Sequence, residues 1–279
     1  MKRFLCLCLS ALLALTLAAP ALAEYSPYWE VREIASGTVD DFDGDESTES
    51  VEFTCETDEY GDGGFTLTVN GQTLSEEYCA GLDPWLRAMK IGSRDYTYAT
   101  VFMVSEYGPS DDHYTYNFLY MNGELKKIEG IPAHANDFEV SDTGVITTMI
   151  RTDMLGTWFR PADYVFASGY DWESEGGESY AGFVESPRDL YPMRMIVTLD
   201  KDLSVRASRF EEVPGSVVEG GQKVALTATD DVAWVYVSSL DGEQKGWMHV
   251  RAQDYLHEIE VDGQWLPESD VFSNLLYAD

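Results

Sequence analysis

Basic residues are scarce in this chain. Eighteen Lys and Arg face 50 Asp and Glu, a formal charge of −32 over 279 residues. A field of that sign repels polyanions, so the composition argues against nucleic acid as a partner. Histidine is scarcer still. The four residues, His113, His134, His249 and His257, show neither an H-E-x-x-H nor a short H-x-H spacing, which removes the common zinc-hydrolase patterns. No G-x-S-x-G elbow and no glycine-rich phosphate loop occurs. Cys79 has His113 and His134 downstream, but no strand–helix context that would make it a thiol nucleophile. Two carboxylates suffice for glycoside hydrolysis, yet with 50 acidic residues almost any pair qualifies and none is singled out.

Long apolar runs are equally rare, with one at the start. Lys2 and Arg3 precede an apolar stretch from Phe4 to Leu17, and Ala21-Leu22-Ala23 supplies a small-residue cleavage site. This is the pattern of an export signal over residues 1–23, and the run is shorter than the roughly 20 residues a spanning helix needs. Cys6 and Cys8 lie inside the apolar stretch rather than at the cleavage point, unlike a lipoprotein cysteine. The expected product starts at Glu24, is extracellular or cell-wall associated, and does not insert in a membrane. Only Cys55 and Cys79 remain in it. In an oxidising compartment the pair is expected to form a disulfide, with about 3–4 kcal/mol of chain-entropy stabilisation; two free thiols are the rival reading.

What is abundant is strand chemistry. Aromatic residues make up 13% of the chain, which argues for packed cores despite the charge. Phe65 to Val69 alternates, and Tyr98 to Tyr107, Tyr114 to Met121 and Val145 to Arg151 are rich in aromatic and β-branched residues. Asn70-Gly71, Asn122-Gly123 and Asp262-Gly263 each follow such a run, the preferred two-residue hairpin turn. The fold class expected is mainly β. Short helices are expected at Leu82 to Ile91, opened by Asp83-Pro84, and from Ser269 to Leu276.

The segment from Ile196 to Leu256 adds a family likeness. Leu203-Ser204-Val205-Arg206 matches an L-N-V-R opening, and Gly220-Gly221-Gln222-Lys223-Val224 a K-G-x-x-V turn. Ala233-Trp234-Val235-Tyr236-Val237 matches a W-x-x-V strand, while Gly242 and Gly246-Trp247-Met248-His249 match a G-x-x-G-W-V hairpin. The segment resembles the bacterial Src-homology-3-like (SH3-like) barrels over roughly a fifth to a quarter of the chain. That resemblance implies a small β-barrel recognising a cell-wall peptide or glycan, or a surface protein. Trp234, Tyr236, Trp247 and Tyr255 are its candidate ligand-binding residues. Alternation puts Val235 and Val237 on the face opposite Trp234 and Tyr236. In such barrels tryptophans also pack the core, so that reading stays open here, as does a purely structural barrel. Because the family often accompanies peptidoglycan hydrolases, a hydrolase with its site in the N-terminal part is the enzymatic alternative.

The expected organisation is therefore a signal at 1–23, an irregular antiparallel β domain at 24–191, an SH3-like barrel at 192–258, and a hairpin with a short helix at 259–279. Within the second of these, Asp41-Phe42-Asp43-Gly44-Asp45-Glu46-Ser47-Thr48-Glu49 places carboxylates at positions one, three, five and nine. Calcium loops use this odd spacing because a tight turn points alternate oxygens inward. The stretch is similar to the calcium loops of FG-GAP repeats and, less closely, of dockerins. That implies calcium held by Asp41, Asp43, Asp45, Ser47 and Glu49. Glu46 stands where such loops carry Gly, Glu49 where Asp is commoner, and Glu52 at position twelve leads into a strand rather than a helix. An ordinary acidic surface turn is the alternative.

Overall fold

The hairpin turns organise everything around them. Asn70, Asn122 and Asp262 each adopt a left-handed backbone (φ 47°, 53° and 48°), and the following glycines do the same (φ 79°, 74° and 77°). Two consecutive positive-φ residues match the right-handed twist of the flanking strands, so each turn sets the register of one antiparallel pair. The computed structural model describes residues 29–93, 96–171, 178–253 and 256–277. The expected export signal and Tyr255 lie outside the described residues.

Four antiparallel sheets result. The first has the order β2 (Val39–Asp40), β3 (Glu49–Thr57), β4 (Gly63–Val69), β5 (Gln72–Cys79). The second has the order β1 (Arg32–Glu33), β6 (Arg87–Ser93), β7 (Tyr96–Glu106), β8 (Tyr114–Met121), β9 (Glu124–Ile131). The third runs β10 (Glu139–Val140), β11 (Ile146–Thr152), β12 (Trp158–Asp171), β13 (Glu178–Glu185). These three stack as layers. Val51, Phe65, Leu67 and Val69 of the first pack against Phe102, Val104, Phe118 and Tyr120 of the second. Met89, Val101, Met103 and Leu119, on the other side of the second, pack against Ile146, Ile150, Ala162 and Phe183 of the third. The middle layer is thus buried on both faces, which explains the unbroken buried run Ala99-Thr100-Val101-Phe102-Met103-Val104, apolar except for Thr100.

The expected helix over Leu82 to Ile91 is instead an extended segment entering β6. Ala88 faces one core while Met89 and Ile91 face the other, so the period is that of a strand. Asp83 and Arg87 still form an ion pair at 2.9 Å across the helical spacing of four residues. The backbone there is held by the second sheet, with the Asp83 N–H donating to the Ser105 carbonyl at 2.9 Å.

The fourth sheet has nine strands. Its main path is β16 (Pro214–Val218), β15 (Leu203–Arg206), β19 (Lys245–Gln253), β18 (Trp234–Ser239), β17 (Gln222–Thr229), β14 (Tyr191–Leu199) and β22 (Phe272–Ser273). β20 (Leu256–Val261) pairs with β19, and β21 (Gln264–Pro267) pairs with β20. One core lies beneath it, with Val197, Leu203, Val205, Val224, Leu226, Val235, Val237, Met248, Val250 and Ile259. The helix α1 (Glu268–Val271) gives way at once to β22, and Val271 and Phe272 both enter this same core. The final helix is therefore one turn long, and the C-terminal segment is integral to the fourth sheet.

The matched motifs fall on the strands β15, β17, β18 and β19, and Gly246 is needed where β15 crosses β19. A Cβ there would lie 2.5 Å from Val205 Cγ2 and 2.6 Å from the Arg206 carbonyl oxygen. The expected closed barrel is not found among the described residues. The path ends on β16 at one side and β22 at the other, because β14 extends the sheet beyond β17 and β22 then covers its edge.

Candidate functional site

The acidic turn between β2 and β3 is pinned from within. Phe42 is buried, meets Phe102 edge-on at 5.2 Å, and its carbonyl accepts a 2.6 Å bond from Thr100 Oγ1. With Phe42 turned into the core, its neighbours Asp41 and Asp43 converge with Glu49. One carboxylate oxygen from each lies within 4.8 Å of the others. Asp43 and Glu49 are only 5% and 3% exposed. Gly44 (φ 78°) and Glu46 (φ 71°) take the left-handed backbone that lets the turn close. Glu46 thus accepts the angle that glycine would adopt without cost, a strain of about 1–2 kcal/mol.

The hydrogen bonds around the triad are incomplete. Asp43 Oδ2 accepts from the Gly123 N–H at 2.7 Å, but its Oδ1 is buried with no partner. Glu49 Oε2 accepts from the Phe42 N–H at 2.9 Å. Asp41 accepts from the N–H groups of Gly44 (2.6 Å) and Glu46 (3.1 Å). Lys90 Nζ is engaged by the Asp40 carboxylate at 2.8 Å and the Asp41 carbonyl at 3.1 Å. Burial raises the Glu49 pKa above its ordinary value, with the charges of Asp43, Asp45 and Asp41 adding to the rise. An orphaned buried oxygen among like charges is the arrangement a cation would relieve, so the triad could hold a metal ion. Asp45 is exposed, its Oδ1 accepting from the Ser47 N–H at 2.7 Å, and its carboxylate does not belong to the converging group.

The second candidate is the face of the fourth sheet opposite its core. Val235 and Val237 are fully buried, which leaves Trp234 and Tyr236, both half-buried, on the other side. Trp234 pairs with His249 across β18 and β19 and stacks on it at 4.5 Å between ring centres. Tyr236 pairs with Trp247 and meets it edge-on at 5.0 Å. His249 reaches Trp265 of β21 at 5.0 Å, extending the row by one more indole. Three guanidinium groups brace these rings. Arg206 lies 5.1 Å from the Trp234 ring centre, Arg209 5.0 Å from Trp247, and Arg251 4.3 Å from Trp265. Sequence reasoning found Trp234, Tyr236 and Trp247 but missed Trp265, His249 and the arginines. Their signal was the alternation of β19 and β21 combined with pairing, which is visible only once the strand order is known.

The expected disulfide is absent: Cys55 and Cys79 are free. Cys55 lies on β3 opposite Phe65, and Cys79 on β5 opposite Gly63, so β4 separates them. Two strand spacings are about 9–10 Å, beyond the roughly 7 Å limit for Cα atoms joined by a disulfide. Cys79 is 1% exposed, and burial pushes its thiol up to about 11, with the Glu106 carboxylate contributing. A thiol so shifted is inert as a nucleophile near neutral pH.

Two further polar clusters are structural in geometry. His134, buried, accepts from the Asn136 N–H at Nδ1 (3.1 Å), which leaves the proton on Nε2, 3.1 Å from Asp83 Oδ2. Tyr107 stacks on its ring at 4.5 Å, and burial lowers its pKa. Arg160 donates to Asp231 (2.6 Å) and Glu185 (2.6 Å) beneath the Tyr191 ring, joining the third sheet to the fourth. Among the described residues no helix is long and apolar enough to cross a membrane. Compared with known proteins, the chain matches no family model, no curated protein and no solved structure.

Proposed function

We propose that the protein is a non-enzymatic binding protein acting outside the cytoplasm, whose C-terminal sheet recognises a cell-wall peptide or glycan. The observation that carries this reading is the row of half-exposed rings Tyr236–Trp247 and Trp234–His249–Trp265 on the face opposite the core. Aromatic faces supply large contact areas with few rotatable bonds, so they bind peptides and sugars at low entropic cost. Guanidinium groups resting on the rings hold them in place, which lowers that cost further. The resemblance of the segment to bacterial SH3-like modules supports the ligand class. The negative charge disfavours polyanionic wall polymers.

In this reading the acidic turn is a calcium site. Three carboxylates are hard oxygen donors, and Asp41, Asp43 and Glu49 would hold the ion. The ion would supply the positive charge that the buried Asp43 Oδ1 lacks, fixing the turn against the second sheet. Co-sedimentation of the mature chain with purified cell wall tests the recognition. Wild-type protein is expected to pellet, and Trp234→Ala together with Trp247→Ala to remain in the supernatant. Equal pelleting of the two, both folded by circular dichroism, overturns the proposal.

A further inference from the structure

The outer face of the fourth sheet contains a groove whose lining narrows the ligand chemistry. It has a volume of about 350 Å³ and is lined by Arg206, Glu212, Trp247, His249, Glu260 and Asp262, among others. β19 supplies Trp247 and His249, the end of β15 supplies Arg206, and the turn after β20 supplies Asp262. Glu212 stands on the loop before β16. The groove is therefore lined by the rings of Trp247 and His249 together with the carboxylates of Glu212, Glu260 and Asp262.

The charges are unequal. Glu260 is engaged from within, since its Oε2 takes both Arg206 (3.0 Å) and His249 (3.1 Å). That pairing satisfies the one guanidinium in the lining. Glu212 and Asp262 are exposed, and Asp262 has one 2.8 Å bond, from Ser204 Oγ. Three carboxylates and one guanidinium thus line the groove, Glu212 and Asp262 exposed, while Arg209 rests on the Trp247 ring at 5.0 Å with its own charge paired to Asp189. An anion would be repelled. A neutral sugar would leave the charge imbalance in place.

We infer that this groove binds a primary ammonium group carried on a peptide, its methylenes lying against Trp247 and its charge between Glu212 and Asp262. An ammonium brings three donors to a site that offers acceptors, and the indole covers the aliphatic stem. The inference rests on the cell-wall reading above and specifies which group of the wall is read: free amines of its peptides, rather than the glycan strand.

The test is co-sedimentation of the mature chain with purified cell wall before and after the free amines are blocked with acetic anhydride. Retention is expected to fall about tenfold on acetylation, because the ligand's charge and two donors are lost while its carbon skeleton stays. Glu212→Gln with Asp262→Asn, two exposed positions that leave the core intact, is expected to lose a similar factor on untreated wall and little more on acetylated wall. If acetylation changes nothing while Trp247→Ala still abolishes retention, the ammonium assignment is wrong and the recognition reading stands. Competition by soluble N-acetylglucosamine oligomers but not by lysine amide overturns the assignment in favour of a glycan ligand. Absence of wild-type retention on either wall overturns both.

Discussion

Asp43→Asn gives the sharpest account of what the acidic turn does. The change keeps the side-chain shape and the acceptor oxygen for the Gly123 N–H, while removing one of three converging charges. Without divalent ions this relieves repulsion among Asp41, Asp43 and Glu49, so the variant should melt at or above the wild-type temperature. With calcium the order reverses. An extracellular-type site with Kd of about 10⁻⁴–10⁻³ M, saturated at 10 mM, adds about 1.4–2.7 kcal/mol to the folded state. For a chain of this size that is a rise of about 3–10 °C in Tm. Differential scanning calorimetry in EDTA and in 10 mM calcium should therefore show the rise for wild type and none for Asp43→Asn. A wild-type curve that ignores calcium, or a variant that keeps the full rise, would refute the metal assignment. An apo variant melting far below wild type would show that Asp43 is a structural acceptor instead.

Other outcomes follow from the remaining clusters. Arg160→Ala leaves Glu185 and Asp231 without their shared partner at the junction of the third and fourth sheets, and urea denaturation should show a loss of about 2–4 kcal/mol. His134 has a folded pKa below its ordinary 6.5, so its contribution to stability is present above that value and is lost as pH falls through it. The urea midpoint should accordingly drop between pH 7.5 and pH 5.5, by less in His134→Gln; parallel curves would remove His134 from the explanation. Denatured protein beginning at Glu24 should take two alkylating groups without reductant, at Cys55 and Cys79, whereas uptake of none would restore the disulfide.

The parts of this structure legible in the sequence are those set by local chemistry. Asn70-Gly71, Asn122-Gly123 and Asp262-Gly263 fix hairpins because the two-residue turn demands positive φ twice. The alternation of Val235 and Val237 with Trp234 and Tyr236 gives the buried and open faces of β18 by the same period-two logic. Asp41, Asp43 and Glu49 were legible from their odd spacing, although Asp45 shares that spacing and turns to solvent. What separates them is Phe42, whose burial against Phe102 orients only its immediate neighbours.

Features that depend on which strands become neighbours were not legible. Counting two cysteines in one compartment cannot reveal that β4 lies between them. Asp83-Pro84 with Arg87 four residues on resembles a helix start, and only the pairing of β6 with β7 shows why the segment extends. The layering of three sheets follows from two-sided burial of the second. A continuous apolar run allows that but does not locate its partners. The arginine braces on Trp234, Trp247 and Trp265 come from β15, the loop after it, and β19, positions separated by up to 45 residues from one another.

Contact between the open aromatic face of the fourth sheet and the cell wall is the event on which recognition depends. Indole N–H resonances of the chain from Glu24 onward, assigned by single Trp→Phe variants and followed during addition of solubilised cell-wall fragments, read that contact directly. Trp234, Trp247 and Trp265 should shift in a saturable manner, while Trp158, buried in the core beneath the sheet, should not. Shifts confined to Trp29 or Trp85, on the segments that lead into β1 and β6, or no shift at any concentration, would contradict it.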